Sequence, residues 1–183
     1  MPVDSSKTKS KRQGLVMVIT GDGKGKTTSS FGQALRAVGQ DLKVCIIQFM
    51  KGRDYGEVMA VKKFLPAIQL YQYGLDSFVM RDNPAQVDKE LAMEGLEKAE
   101  EILNSNEFDM LILDEINVAV EFDLVPEERV LAMIKNKPAD LFLILSGRYA
   151  TDFIKSRADL VSEVREIKHH YKAGIKDQPG VEY

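Results

Sequence analysis

Residues 20–28 read Thr-Gly-Asp-Gly-Lys-Gly-Lys-Thr-Thr. They follow the apolar run Leu15-Val16-Met17-Val18-Ile19 and precede a helical pattern from about Thr27 to Val38. Strand, glycine-rich loop, Lys-Thr and helix, in that order, are the context of a phosphate-binding P-loop. Gly21, Gly23 and Gly25 can adopt backbone angles closed to residues with a Cβ, so consecutive N–H groups can turn inward around an anion. The helix behind them points its N-terminus at the same anion. Lys26 adds a full positive charge and Thr27 a hydroxyl suited to a magnesium ion. The common spacing G-x-x-x-x-G-K-[ST] would place a glycine at position 20. That residue is Thr20, so the loop is one residue shorter before Gly25-Lys26-Thr27, and it carries a second lysine, Lys24. These residues predict a nucleoside triphosphate site.

The rest of the chain predicts the fold that holds such a loop. Apolar runs at 15–19, 44–49, 68–73, 110–113 and 141–145 alternate with helical patterns. Runs without polar alternation suit strands covered on both faces, hence parallel strands joined by crossover helices. The expected fold is an α/β P-loop (RecA-like) sandwich, with a mainly parallel central sheet flanked by helices. Residues 1–13 carry Lys7, Lys9, Lys11 and Arg12 and read as a flexible basic N-terminal arm; 14–183 read as one domain. The clearest helix is predicted from Pro84, with Asn83 as N-cap and Val87, Leu91, Gly95, Ala99, Ile102 and Leu103 on its inner face.

Bulk properties remove several classes of function. A net charge of -3 argues against a general nucleic-acid binder. No apolar stretch is long enough for a membrane span, and the N-terminus lacks the apolar core of a secretion signal. The single cysteine, Cys45, lies within Val44-Cys45-Ile46-Ile47 and reads as a buried, inert thiol. A cytoplasmic protein is expected.

Met110-Leu111-Ile112-Leu113-Asp114-Glu115 is an apolar strand that ends in two acids. In a P-loop fold the strand beside the loop delivers an acid to the magnesium ion or its waters, and either Asp114 or Glu115 fits that role. Leu141–Leu145 lead into Ser146-Gly147-Arg148. Strand C-termini face the ligand crevice, so Arg148 either reaches triphosphate oxygens or pairs with a nearby acid at the surface. The stretch Tyr71–Met80 is rich in large apolar side chains; it reads as aromatic core packing or as the lining of a pocket for a flat apolar ligand. His169 and His170 are read as adjacent strand residues that point to opposite faces, a poor metal pair.

Taken together these residues resemble the ATP:cob(I)alamin adenosyltransferases of the CobA/BtuR type, from about Gly14 to Tyr183. The shortened loop at 20–28 carries the resemblance, with Phe31-Gly32, Arg36-Ala37-Val38-Gly39, Gln48-Phe49-Met50-Lys51-Gly52, Asp114-Glu115 and Gly147-Arg148. The most specific part is the tail, from Val161-Ser162-Glu163-Val164-Arg165 through Lys168-His169 and Ala173-Gly174 to Gly180-Val181-Glu182-Tyr183.

The resemblance implies transfer of the 5′-deoxyadenosyl group of ATP to a reduced corrinoid, with release of triphosphate. It implies nucleotide binding by Gly21, Asp22, Gly23, Lys24, Gly25, Lys26, Thr27, Thr28, Arg36 and Arg148, of which Lys26 and Arg148 are catalytic. The nucleotide would lie reversed relative to most P-loop enzymes. Thr27 and Glu115, with Asp114 beside them, would contact Mg²⁺. Phe78 and Met80 would bind the corrinoid and expel the lower axial ligand of cobalt; family members often have Trp where Met80 stands, and this chain has no tryptophan. Family members commonly form homodimers, and an electron donor such as a flavoprotein would supply the reduced metal. Some carry a longer N-terminal helix over the active site; here only about a dozen polar residues precede the first strand, which predicts a short or absent lid. Two other readings compete: a P-loop phosphotransferase or ATPase acting on another small molecule, and a nucleotide-dependent regulatory module without turnover.

Overall fold

The structure is a computed structural model in which residues 12–77 and 79–183 are described. The five apolar runs form the strands β1 (Val16–Thr20), β2 (Val44–Phe49), β3 (Ile68–Tyr73), β4 (Met110–Asp114) and β5 (Phe142–Ser146). A sixth strand, β6 (Leu160–Glu163), follows. Its four residues are all exposed, so it carries no apolar signature in the sequence. The sheet order is β3-β2-β4-β5-β1-β6, and every pairing is parallel. All the strand C-termini, and with them the loops that follow, therefore lie along one edge of the sheet.

Among the described residues, six α-helices cover the two faces: α1 (Lys26–Val38), α2 (Gly56–Phe64), α3 (Gln86–Ser105), α4 (Ile116–Glu121), α5 (Glu127–Asn136) and α6 (Asp152–Ser156). Alternation along each strand divides the core. Ile46, Ile112 and Ile144 pack with Ala34 and Ala37 of α1 and Val61 of α2. Cys45, Ile47, Leu111, Leu113, Leu143 and Leu145 pack on the other face with residues of α3–α6, among them Leu96, Ile116, Val130 and Ile154. Each fully buried Leu or Ile contributes roughly 1.5–3 kcal/mol relative to exposure, which accounts for the unbroken apolar character of the central strands. This is the P-loop α/β sandwich expected from the sequence.

Two local expectations are corrected. Helix α3 starts at Gln86, after Ala85 rather than Asn83, because the Asp88 carboxylate accepts a hydrogen bond from the Ala85 N–H at 3.1 Å and closes the first turn there. Val87 is exposed, and Ala92 and Leu96 join Gly95, Ala99, Ile102 and Leu103 on the buried face. Arg12, assigned by sequence to the arm, is fastened: its guanidinium donates to Asp109 at 2.5 Å and to the Asp140 carbonyl at 2.9 Å. The remainder of that arm, 1–11, lies outside the described residues. Among the described residues no helix is long and apolar enough to cross a membrane.

Candidate active site

The P-loop joins β1 to α1, and its backbone is braced by the chain beyond β6. The Gly23 N–H donates to the Val164 carbonyl at 2.7 Å, and the Val164 N–H to the Thr20 carbonyl at 2.8 Å. Gly21 has φ +101°, and a Cβ there would lie 2.4 Å from the Val164 oxygen, so this bracing requires glycine. Helix α1 has no acidic residue in its first turn, so its positive end remains available to an anion. Lys26 is nearly buried and donates to the Gly23 carbonyl at 2.8 Å. Burial lowers its pKa; Glu115, Asp22 and Asp114 oppose the shift, and Arg148 adds to it.

The acids at the end of β4 have different tasks. Asp114 is fully buried and saturated with donors: Ser146 Oγ at 2.6 Å, Lys51 Nζ at 2.8 Å, Gln48 Nε2 at 3.0 Å and Thr27 Oγ1 at 3.1 Å. Burial alone would raise its pKa, but Lys51 and these hydrogen bonds hold the carboxyl below its usual range. Glu115 takes a left-handed backbone, φ +65°, ahead of α4, and its side chain enters the crevice. Burial, and then the adjacent Asp114 charge, push its pKa up. Gly147 leaves room for it, since a Cβ there would lie 3.2 Å from Glu115 Oε2.

Two cavities meet over this edge. One, of about 590 Å³, is lined by Lys24–Thr28, Phe31, Glu57 and the tail Gly180–Tyr183. The other, of about 890 Å³, has an apolar side formed by Leu75, Val79, Val118, Phe122 and Tyr149, and a polar side that includes Arg53, Asp76, Arg148 and Asp177. Lys51, Tyr55, Glu115, Glu182 and Tyr183 line both. The arrangement suits two ligands that touch: one anionic, held by the loop, and one that meets both apolar and polar side chains.

A sequence model of the ATP:corrinoid adenosyltransferases BtuR/CobO/CobP matches residues 12–183, nearly the whole chain. The chain belongs to this family. It is 36% identical to a corrinoid adenosyltransferase of Sinorhizobium sp. over 96% of its length and 83% of the relative's. It is 36% identical to one of Escherichia coli K12, over 93% of this chain and 86% of the relative. A corrinoid adenosyltransferase CobA of Salmonella typhimurium LT2 is 34% identical over 93% of this chain and 86% of the relative. The chain is accordingly an adenosyltransferase that acts on ATP and a corrinoid.

In this adenosyltransferase, Gly21, Asp22, Gly23, Lys24, Gly25, Lys26, Thr27 and Thr28 come together in the loop and the first turn of α1. Arg148 joins them, donating to the Asp22 carbonyl at 3.3 Å. Arg36 does not. It is exposed in the last turn of α1, ten residues beyond Lys26, or about 15 Å along the axis at 1.5 Å per residue. The acid strand is not beside the loop strand, because β5 lies between β1 and β4. Asp114 still reaches Thr27, because all the strand ends open on one edge. Phe78 lies outside the described residues, although Ser77 and Val79 line the larger cavity. Met80 is 69% exposed and is not on that wall.

His169 and His170 are not on a strand. They open a 3₁₀ turn (His170–Ala173) with their rings stacked at 4.7 Å, and His170 Nε2 lies 3.4 Å from Glu182 Oε1. Glu182 also pairs with Lys24 at 3.2 Å, so this cluster ties the tail to the P-loop. Sequence reasoning assigned no role to Lys51, Gln48 or Ser146. The available signal was their position at strand C-termini.

Proposed function

We propose that the chain transfers the 5′-deoxyadenosyl group of ATP to the cobalt(I) of a corrinoid and releases triphosphate. The observation that carries this reading is the junction of the two cavities at Lys51, Tyr55, Glu115, Glu182 and Tyr183. It lets the reacting ends of both substrates meet beside the P-loop. The cobalt(I) electron pair forms the bond to C5′, the C5′–O bond breaks, and its pair stays on the triphosphate. Cobalt(I) is itself a strong nucleophile, so the protein's task is to align the two centres and stabilise the leaving charge. Lys26, Lys24, Arg148 and the N–H groups of the loop other than that of Gly23 supply that stabilisation.

Thr27 and Glu115 would hold a magnesium ion, with Asp114 orienting the threonine hydroxyl, and the ion would supply further positive charge to phosphate oxygens. The fit rests on an all-oxygen donor set around a position already attractive to a cation, the Lys51 ammonium. Phe78 and the apolar wall of the larger cavity receive the corrinoid face and exclude water from it. An electron donor such as a flavoprotein supplies the electron that reduces the corrinoid's cobalt(II) to cobalt(I). We read the protein as cytoplasmic, in keeping with its single buried thiol. We read it as a homodimer from the family resemblance and from exposed apolar side chains along and beyond edge strand β6, including Leu160, Val161 and Ile167. An anaerobic assay with MgATP and cob(I)alamin tests the reaction. Adenosylcobalamin and triphosphate are expected in equal amounts; ADP or phosphate without a carbon–cobalt product would overturn it.

A further inference from the structure

Lys51 is held in place by a rigid turn. Met50, just after β2, has φ +58°, and its N–H donates to the Tyr73 carbonyl at 2.8 Å. The turn is pressed against the one after β3: a Cβ on Gly74 would lie 2.4 Å from the Lys51 nitrogen, and one on Gly52 2.5 Å from the Gly74 oxygen. A left-handed non-glycine residue held in this way marks a position that the surrounding structure over-determines. The Lys51 side chain is only 17% exposed, and its ammonium contacts Asp114 Oδ2 at 2.8 Å and Thr27 Oγ1 at 3.1 Å, with Glu57 at 4.0 Å. It therefore lies against the Thr27 hydroxyl oxygen that would otherwise face a divalent cation. It also lines both cavities at their junction.

We propose that Lys51 is an exchangeable cation and a further catalytic residue of the transfer: it holds the Thr27–Asp114 pair while nucleotide is absent, and turns its ammonium onto the triphosphate when a divalent ion binds at Thr27 and Glu115. The proposal rests on the reaction and the Thr27–Glu115 metal position given above. An ammonium and a divalent ion cannot both lie against Thr27 Oγ1, because their charges repel. The lysine side chain has four rotatable bonds and opens onto the nucleotide cavity, so its charge has a route to the phosphates without movement of the backbone. Lys51 keeps the buried Asp114 carboxylate paired, a role that some other cation would have to take if Lys51 turned away.

Two readouts test this, one of them independent of turnover. Mn²⁺ binding to the nucleotide-free protein, followed by its EPR signal, is expected to be tighter by about tenfold in Lys51→Gln, since the competing ammonium is gone. Lys51→Arg keeps the charge and is expected to bind Mn²⁺ as weakly as the wild type. In the anaerobic assay, kcat of Lys51→Gln is expected to fall about 100-fold, the scale for loss of one charge-stabilising donor, with KM for ATP changed much less. Circular dichroism of both variants controls for folding. Unchanged Mn²⁺ affinity in Lys51→Gln, or a near-normal kcat, overturns the assignment of Lys51 while wild-type adenosylation stands. Absence of a carbon–cobalt product from the wild-type protein overturns the underlying reaction instead.

Discussion

The Thr27 hydroxyl lies 3.1 Å from the Asp114 carboxylate, although 87 residues separate them and β5 runs between their strands. The contact exists because both strands end at the same edge of a parallel sheet. It joins the phosphate loop to the acid strand through one hydrogen bond, and Ser146 on the intervening strand supports the same carboxylate. Three successive sheet positions thus converge on one buried carboxylate, and the mechanism depends on how the side chains around it share charge.

Lys26 is the loop's own counter-charge, tethered to the Gly23 carbonyl at 2.8 Å. Lys26→Ala is expected to lower turnover by at least about 100-fold, as for other residues that stabilise charge in the transition state. Steady-state rates of adenosylcobalamin formation check this. A rate near the wild type would remove the P-loop from the mechanism.

Glu115 has a raised pKa because burial and the neighbouring Asp114 disfavour its charged form. Ionised Glu115 therefore costs stability above its folded pKa, and the cost is relieved as pH falls toward the unfolded value. Glu115→Gln is expected to raise Tm at neutral pH by about 2–4 °C, the shift that about 1 kcal/mol makes in a domain of this size. The gain should shrink as the pH is lowered toward 4.5, the ordinary pKa of the group. The same variant should lose much of its response to Mg²⁺. Thermal scans across pH, paired with a magnesium titration of activity, test both halves; a lower Tm at neutral pH contradicts the electrostatic account.

Glu182 of the tail pairs with Lys24 of the loop at 3.2 Å, and His170 Nε2 lies 3.4 Å from its other carboxylate oxygen without a hydrogen bond. Its partners are partly exposed, so Glu182→Gln should change global stability by no more than about 1 kcal/mol. The effect is expected in binding: a several-fold rise in KM for ATP as the tail loosens over the nucleotide cavity. Kinetics alongside urea denaturation separate the two, and a large loss of stability with unaltered KM would make the link purely structural.

Cys45 is fully buried in β2, and burial pushes its thiol pKa up to about 12. It stays protonated throughout the physiological range and out of reach of reagents. Ellman's reagent is expected to find no reactive thiol in the native protein at pH 8 and one per chain after denaturation. Rapid labelling of the folded protein would contradict this burial.

The apolar runs alone determined five parallel strands, because a strand covered on both faces leaves no polar alternation to misread. Glycines beside Lys26 and Thr27 likewise determined a phosphate loop, since its geometry is local. The edge strand β6 was not legible: it is short and exposed, and only its pairing with β1 defines it. Position in sequence could not separate Arg148, which the end of β5 brings to Asp22, from Arg36, which α1 carries away from the loop. Nor could it separate Asp114 from Glu115. Those two differ only in which way the backbone turns at the end of β4, sending one carboxylate into a shell of donors and the other into the crevice. Local sequence determines elements of one strand, one loop or one helix face. The roles of Lys51, Asp114 and Glu182 depend on contacts between distant segments, and only the closed fold decided them.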